Sequence, residues 1–149
     1  MNISYTNFRI KCNHPFGISR STHDYYDVIF VYLEEGGIIG RGEAAPSGRY
    51  NEFAKDILGV LNDGINLPQN IDDPLAFLDF VLPQCRGIKS LEVAFSMAIM
   101  DWWCQSEEIP LYEHFGADPS KAPKTSYTIS IGDMDLIPEK VKEGAPYHI

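Results

Sequence analysis

The chain has 149 residues, which is enough for one domain with a hydrophobic core, or for one domain and part of a second. Its 12 basic and 21 acidic residues give a formal net charge of −9, which repels phosphate backbones and anionic lipids and so argues against nucleic acid and membrane partners. The sequence has no apolar leader and no apolar run of the roughly 18 residues that a membrane span needs, so we expect a cytoplasmic protein.

Three strands open the predicted fold. Residues 3–11 show a patchy period of two, and residues 27–34 form a β-branched and aromatic run, both of which are typical of strands. Gly36 and Gly37 can supply the positive φ angles of a tight turn, after which IIGRGEA returns as a third strand. The pattern therefore predicts a three-stranded antiparallel meander.

Helical periodicity follows the third strand. Asn51 is placed to cap a first helix, and one face of that helix carries four apolar residues. These are Phe53, Ile57, Leu58 and Leu61. A second helix is predicted to begin with Asp73 as its cap and Pro74 at its first helical position, and to end at Pro83. Its inward residues are predicted to be Leu75, Leu78 and Leu82.

A third helix is predicted at residues 91–105, with Ser90 as its N-cap. It is apolar nearly all round, which is typical of a central helix. Asp101 lies on this helix, and a carboxylate in such surroundings needs a partner. We expect Asp101 to pair with a backbone amide or an arginine, with direct catalysis as the alternative.

The C-terminal part of the sequence begins a different pattern. After a connector rich in proline, glycine and lysine, residues 125–132 alternate like a strand, and residues 136–144 are typical of a short amphipathic helix. The expected fold class is therefore α+β: a three-stranded antiparallel meander plus a helical bundle, followed by a first βα unit, which the family resemblance described below identifies as the start of a (β/α) barrel. The expected domains are residues 1–116 and residues 117–149.

Common catalytic and metal-binding motifs are absent from the sequence. There is no G-x-S-x-G, H-E-x-x-H, EF-hand or Walker pattern, and the glycines of GGIIGRG lie in a hairpin rather than between a strand and a helix. The adjacent acids Asp72 and Asp73 are interpreted as a helix cap rather than a metal site. Three widely spaced cysteines are expected to be reduced thiols: Cys12, Cys85 and Cys104.

Four phrases in the observed order carry a family resemblance. They are PFGISRSTHDYYDVIFVYLEEGGIIGRGEAAPSGRY, EVAFSMAIMDWW, IPLYEHFG and TSYTISIG. Together with the order of the elements, they resemble the enolase superfamily, within it the mandelate racemase and muconate-lactonizing group, and specifically dipeptide epimerases of the alanyl-glutamate type. The resemblance covers essentially the whole chain.

The resemblance implies a two-part enzyme. An enolase-like N-terminal capping domain closes over a barrel that holds Mg²⁺ through three carboxylates and carries two lysine bases. The substrate is expected to be a small molecule, in this case a dipeptide that is epimerised at an α-carbon through an enediolate. In GRGEAAP, the small residues would let backbone lie close to substrate or barrel loops, and Glu43 would be a buried anchor between cap and barrel rather than a metal ligand.

The resemblance also suggests four substrate-binding residues. The loop after Phe16 selects the substrate in this family, and either Arg20 or His23 takes the position of an arginine that meets a glutamyl side chain. Thr128 matches a ligand-facing position on the first barrel strand, and Tyr50 is expected to line the same mouth.

The family's lysines and metal carboxylates would all lie beyond Ile149, so neither catalytic nor metal residues are expected in this chain. We therefore expect a shortened isomerase sequence that is inactive alone and self-associates through an unpaired strand edge. A non-catalytic cap-only binding module is the alternative. Another muconate-type activity, cycloisomerase or o-succinylbenzoate synthase, is also open, and a homo-oligomer is compatible with the sequence.

Overall fold

A computed structural model of the protein describes residues 1–19, 21–69 and 73–147. It contains a three-stranded antiparallel sheet followed by helices, which confirms the predicted α+β class. The strands are β1 (Asn2–Ile18), β2 (Ser21–Glu35) and β3 (Ile38–Ala44). The α-helices are α1 (Ala54–Asp63), α2 (Pro74–Val81), α3 (Lys89–Ser106), α4 (Leu111–His114) and α5 (Ile137–Gly144). Short 3₁₀ turns cover Gly48–Tyr50, Leu82–Cys85, Pro119–Lys121 and Met134–Leu136. None of the described helices is long and apolar enough to cross a membrane.

The chain divides into two compact units. One, which we call the core unit, comprises Met1–Arg9 and Asp27–Ala117. The other, which we call the hairpin unit, comprises Ile10–Tyr26 and Asp118–Ile149. The division into a capping domain of residues 1–116 and a barrel segment of residues 117–149 stays a prediction.

The first two strands are longer than predicted. The sequence indicated residues 3–11 and 27–34, whereas the strands extend to Ile18 and begin again at Ser21, so the expected loop after Phe16 is part of a long β-hairpin. Ladder hydrogen bonds between neighbouring strands satisfy backbone groups whatever the side-chain pattern, which is why a polar stretch can join the sheet. The turn between β2 and β3 is as predicted, with φ of 61° at Gly36 and 82° at Gly37.

The core unit is built by α3 lying on β2 and β3. Its centre consists of buried residues from the sheet and from the first three helices, listed here: Ile29, Val31, Leu33, Ala44, Ile57, Val60, Leu61, Phe77, Val81, Cys85, Leu91, Ala94, Phe95, Ala98 and Ile99. In the β2–β3 ladder, Val31 pairs with Gly42 and Leu33 with Gly40. A Cβ atom on Gly40 would overlap the carbonyl oxygen of Ala98, and one on Gly42 would overlap that of Ala94. The glycines of GRGEAAP therefore serve close contact between strand and helix inside this unit.

The first helix begins later than predicted, and Asn51 does not cap it. Asn51 is left-handed, with φ of 57°, and its backbone N–H donates to Gly48 at the end of a 3₁₀ turn. Phe53 occupies the N-cap position of α1 without a side-chain hydrogen bond, and its side chain is exposed. Ile57 and Leu61 are buried as predicted, and Leu58 packs partly buried against the core.

The second helix has the predicted start but a different inward face. The Asp73 carboxylate accepts the Ala76 N–H at 3.0 Å, and Pro74 follows as the first helical residue. Leu78 and Leu82 pack partly buried against the core, as predicted, but Leu75 is 63% exposed, whereas Phe77 and Val81 are buried. The prediction failed at Leu75 because almost every residue of PLAFLDFV is apolar, so the pattern does not define one face.

The predicted central helix is confirmed as α3, but the prediction that Ser90 is its N-cap is wrong. Ser90 lies inside the helix, and the cap is supplied by Glu52 from outside it. The Glu52 carboxylate accepts the N–H groups of Lys89 and Ser90 at 2.6 and 3.1 Å. A carboxylate in this position satisfies two of the free N–H groups at the helix start and interacts favourably with the helix dipole.

The helix of the predicted βα unit is confirmed, but its strand is not. Helix α5 occupies Ile137–Gly144, but residues 125–132 form no regular strand. A strand of a parallel barrel acquires its ladder from neighbouring strands of the same sheet. Among the described residues, the backbone hydrogen bond recorded for this segment runs from the Ile131 N–H to the Gly17 carbonyl, at 3.0 Å.

Candidate functional site

The edge of β3 is closed by side chains of α3. The Asp101 carboxylate accepts the backbone N–H of Arg41 at 2.9 Å, and the Gln105 amide donates to the Ile39 carbonyl at 3.0 Å. Spaced four residues apart, these two side chains lie on one face of the helix and take the place of a neighbouring strand. The expected pairing of Asp101 with a backbone amide is confirmed.

Glu43 lies on the sheet face opposite Gly42 and Ala44. It is half-buried rather than buried, and it pairs across the ladder with Phe30. Among the described residues, no hydrogen bond or ion pair engages its carboxylate. Its role as an anchor between cap and barrel stays a prediction.

Tyr50 ends the 3₁₀ turn after GRGEAAP and borders a cavity in the core unit. Its side chain is 71% exposed, with the Arg49 guanidinium carbon 5.8 Å from the ring centroid. The cavity has a volume of about 450 Å³ and is also lined by Glu52 and Val93. Burial by itself would raise the pKa of Glu52, but the hydrogen bonds from Lys89 and Ser90 outweigh it and lower that pKa below its ordinary value. The Glu52 carboxylate is therefore held as an anion at the cavity wall.

The tip of the β1–β2 hairpin belongs to the hairpin unit and presents aromatic side chains. His23 is exposed, and its ring lies 5.4 Å from the ring of Tyr26, which is itself 42% exposed. Tyr25 is 47% exposed. Arg20, the other residue predicted to meet a substrate carboxylate, lies outside the described residues.

Thr128 lies in the irregular segment of the hairpin unit and is exposed. Directly after it, Ile129, Ser130 and Ile131 help to line a cavity of about 420 Å³ that reaches the start of α5. The ring of Tyr127 stacks on that of Tyr147, with ring centroids 5.8 Å apart. Thr128 is thus exposed, and its substrate-binding role stays a prediction.

A set of polar contacts that the sequence did not predict joins β1 to the Thr128 segment and α5. The Ser130 hydroxyl donates to the Pro15 carbonyl at 3.1 Å, and it accepts from the Lys140 ammonium at 3.2 Å. His14 Nε2 lies 2.9 and 3.0 Å from the two oxygens of the Glu143 carboxylate. Pro15 and Ser130, like His14 and Glu143, are more than a hundred residues apart in sequence, so no local pattern signals these contacts.

The cysteines and carboxylates of the described residues do not form a metal site. All three cysteines are free thiols, as predicted, and burial, with a smaller contribution from the Glu92 charge, raises the pKa of Cys85 to about 12. Within residues 1–19, 21–69 and 73–147, no group of three histidine, cysteine, aspartate or glutamate side chains is placed to hold an ion. These residues therefore do not fit the magnesium ion that the family resemblance implies.

The predicted substrate-binding residues fall into both units. His23 and Thr128 belong to the hairpin unit, and Tyr50 belongs to the core unit. The structure does not record a hydrogen bond that joins His23 to Thr128 directly. Each of the three has a side chain that is open to a ligand, which is the property they share.

Comparison with known proteins gives a consistent set of relatives. No protein-family model matches the chain. It is 30% identical over 148 residues to an L-Ala-D/L-amino acid epimerase of a Maribacter species, in an alignment that covers 96% of this chain and 43% of that protein. It is 25% identical over 150 residues to the L-Ala-D/L-Glu epimerase of Bacteroides thetaiotaomicron, covering 97% of this chain and 38% of that protein.

The same relationship is found among solved structures. A dipeptide epimerase from Methylococcus capsulatus, complexed with Mg and the dipeptide L-Arg-D-Lys, matches with a TM-score of 0.84 at 20% identity. The match covers 97% of this chain and 42% of that one. The chain therefore spans less than half the length of each of these three proteins.

These findings confirm the resemblance expected from the sequence. The structural neighbours include a member of the enolase family and a mandelate racemase/muconate lactonizing protein. The sequence relatives are epimerases that act on L-Ala-containing substrates, as their names state. The chain has the fold of the N-terminal part of an enolase-superfamily protein, and its sequence is similar to that part of the dipeptide epimerases.

Proposed function

We propose that this chain is the N-terminal part of a magnesium-dependent dipeptide epimerase, which inverts an α-carbon through an enediolate. The single observation that carries this proposal is the 30% identity to an L-Ala-D/L-amino acid epimerase over 96% of the chain. The fold match to the Methylococcus capsulatus enzyme supports it, because the match covers 97% of this chain with a TM-score of 0.84.

In this proposal the chain provides the capping domain and the first barrel segment. Proton transfer and metal binding are assigned to the part of the enzyme outside these 149 residues, because the described residues contain no cluster that fits a divalent ion. The 149-residue chain alone is accordingly proposed to be inactive. Its contribution is to bind the substrate, to orient it and to exclude water from the reacting carbon.

Substrate recognition is assigned to His23, Tyr50 and Thr128, together with Arg20. An arginine side chain can hold a carboxylate of the substrate by charge-assisted hydrogen bonds, and the exposed His23 ring carries an N–H that can donate to the same group. The exposed Thr128 hydroxyl can both donate to and accept from the peptide group of a dipeptide. The exposed Tyr50 ring offers apolar contact at the mouth of the Glu52 cavity.

The test is proton exchange at the α-carbon of a dipeptide panel. The product of the complete open reading frame is incubated in D₂O with L-Ala-L-Glu, L-Ala-L-Val and L-Arg-L-Lys, and loss of the α-proton signal is followed by NMR. We expect exchange with at least one dipeptide, restored by Mg²⁺ after treatment with a chelator. A folded full-length protein that exchanges none of them would refute the epimerase assignment.

A second experiment tests the recognition residues. Arg20→Met and His23→Gln are compared in the complete enzyme for kcat and KM with acidic and neutral second residues in the dipeptide. Substitution of the residue that meets the carboxylate is expected to raise KM selectively for the acidic dipeptide, by roughly tenfold or more, since a charge-assisted pair is lost. An unchanged preference in both variants would remove both residues from the recognition set.

A further inference from the structure

The hairpin that carries His23 needs support from outside its own two strands. β1 is 17 residues long, and its last part belongs to the hairpin unit with residues 118–149. A two-stranded ribbon is only marginally stable in water, so its tip requires additional contacts to be held in one position. In this unit those contacts come from the segment around Ser130 and from α5.

Gly17 is the point where the two backbones meet. The Gly17 carbonyl accepts the Ile131 N–H at 3.0 Å, and Gly17 is buried. A Cβ atom at this position would lie 2.5 Å from the Ile131 carbonyl oxygen, closer than real Cβ contacts allow. Only glycine lets the segment approach β1 closely enough to form this hydrogen bond.

Lys140 supports the same contact from the helix side. The residue is only 6% exposed, and its ammonium group donates to the Ser130 hydroxyl, which in turn donates to the Pro15 carbonyl. A buried ammonium group costs free energy unless it is hydrogen-bonded. Since the observed bond goes to a hydroxyl, Lys140 fixes the hydroxyl rotor of Ser130 so that its proton points to Pro15.

We propose that Gly17, Ser130 and Lys140 form a clasp, defined by these three residues, that positions the β1–β2 hairpin tip beside the segment that carries Thr128. The inference rests on the proposed function, because it makes the three residues positioning residues for dipeptide recognition by His23 and Thr128. None of them needs to touch the substrate. Ser130 follows Thr128 by two residues, so the clasp and the Thr128 side chain are built on one stretch of chain.

The test is amide hydrogen exchange in the hairpin unit, with two glycine variants as a matched pair. Gly17→Ala places a methyl group against the Ile131 carbonyl, whereas in Gly132→Ala the new Cβ has ordinary contact, 3.5 Å from the Lys140 ammonium. We expect exchange of the Ile131 amide to become faster by about tenfold or more in Gly17→Ala and to stay within about twofold in Gly132→Ala. Equal exchange in the two variants would overturn the proposal.

Faster amide exchange in α3 would reveal that Gly17→Ala disturbs the whole chain. In that case, variants of Ser130 keep the test decisive. Ser130→Ala removes the hydroxyl without adding volume and is expected to speed exchange of the Ile131 amide, while Ser130→Thr restores protection. Unchanged exchange in Ser130→Ala, or no rescue by Ser130→Thr, would contradict the clasp.

A kinetic measurement separates the clasp from the proposed function. In the complete enzyme Ser130→Ala is expected to raise the KM for the dipeptide with little change in kcat, because the hairpin must be ordered on binding. Absence of epimerase activity in the unmodified enzyme would refute the proposed function, while the exchange result would still decide whether the clasp exists. A fall in kcat at unchanged KM would show that the clasp does not act through substrate recognition.

Discussion

Gly42 of β3 lies directly against the carbonyl group of Ala94 in α3, and no side chain fits between them. The same close approach recurs two residues earlier on β3, where Gly40 meets the backbone of Ala98. Two glycines on the strand and two alanines on the helix therefore let α3 lie closer to the sheet than larger residues would permit. This contact fixes the centre of the core unit, because Ile29, Val31 and Leu33 are buried under the same helix.

Gly42→Ala is expected to destabilise the protein by about 3 kcal/mol, because the added methyl group must push α3 away from the sheet. The measurement is the free energy of unfolding from urea titration followed by circular dichroism. Gly59→Ala is the matched control: Gly59 lies inside α1 with nothing within 4 Å of a new Cβ, so a gain of about 0.5–1 kcal/mol is expected. Similar losses in both variants would refute the close-packing account.

Asp101→Ala is expected to lower the free energy of unfolding by about 1–3 kcal/mol, since the Arg41 N–H at the edge of β3 loses its acceptor. Asp101→Asn keeps an acceptor oxygen and should cost less. Asp63, which pairs with Arg86 at the surface with both side chains more than half exposed, is the control, and Asp63→Ala should change stability by less than about 1 kcal/mol. Equal effects at the two positions would show that Asp101 is an ordinary surface carboxylate.

Glu52 should make the stability of the core unit depend on acid pH. Its pKa is lowered in the folded protein from an ordinary value of 4.5, so the folded state favours the anion. The stabilisation is therefore present above about pH 4.5 and is lost as the pH falls through the folded-state pKa. Glu52→Gln should remove this part of the pH dependence and lower stability at pH 7 by about 1 kcal/mol, as for a lost helix cap.

The matched control for this measurement is Glu139→Gln in the first turn of α5, where the side chain is exposed. Unfolding curves between pH 3 and pH 7 are compared for the unmodified chain and both variants. If the curve for Glu52→Gln runs parallel to that of the unmodified chain, the carboxylate does not act as the cap of α3.

The segment of residues 125–132 is expected to mediate self-association of the 149-residue chain. Ile131 is 68% exposed and Met134 is 75% exposed, and backbone groups without a ladder can pair with another copy. Ile131→Lys should shift the chain toward the monomer in sedimentation velocity measured over a range of concentrations. Leu75→Lys, which alters a residue 63% exposed on α2, should leave the distribution unchanged. A monomeric unmodified chain at every concentration would contradict the prediction.

Much of the fold could be predicted because its signals are local. The β-branched run of β2 and the paired glycines at the following turn define the meander, and Asp73 with Pro74 defines the start of α2. The wrong predictions concern residues whose partners are distant. Ser90 resembles an N-cap in sequence, yet the cap of α3 comes from Glu52, 38 positions before Ser90.

The candidate site was predictable only through the family resemblance. It directed attention to His23, Tyr50 and Thr128, and the structure leaves all three accessible. It did not indicate Gly17 or Ser130, because their contacts join β1 to residues more than a hundred positions later, and it did not indicate Lys140, which acts through Ser130. Glycine at a close backbone contact has no side chain from which a partner could be inferred.

The decisive experiment compares α-proton exchange of one accepted dipeptide by two proteins side by side. These are the 149-residue chain and the product of the complete open reading frame, both with Mg²⁺. We expect exchange by the complete product and none by the 149-residue chain above a protein-free control. Exchange by the 149-residue chain alone would contradict the assignment of the catalytic groups to the rest of the enzyme.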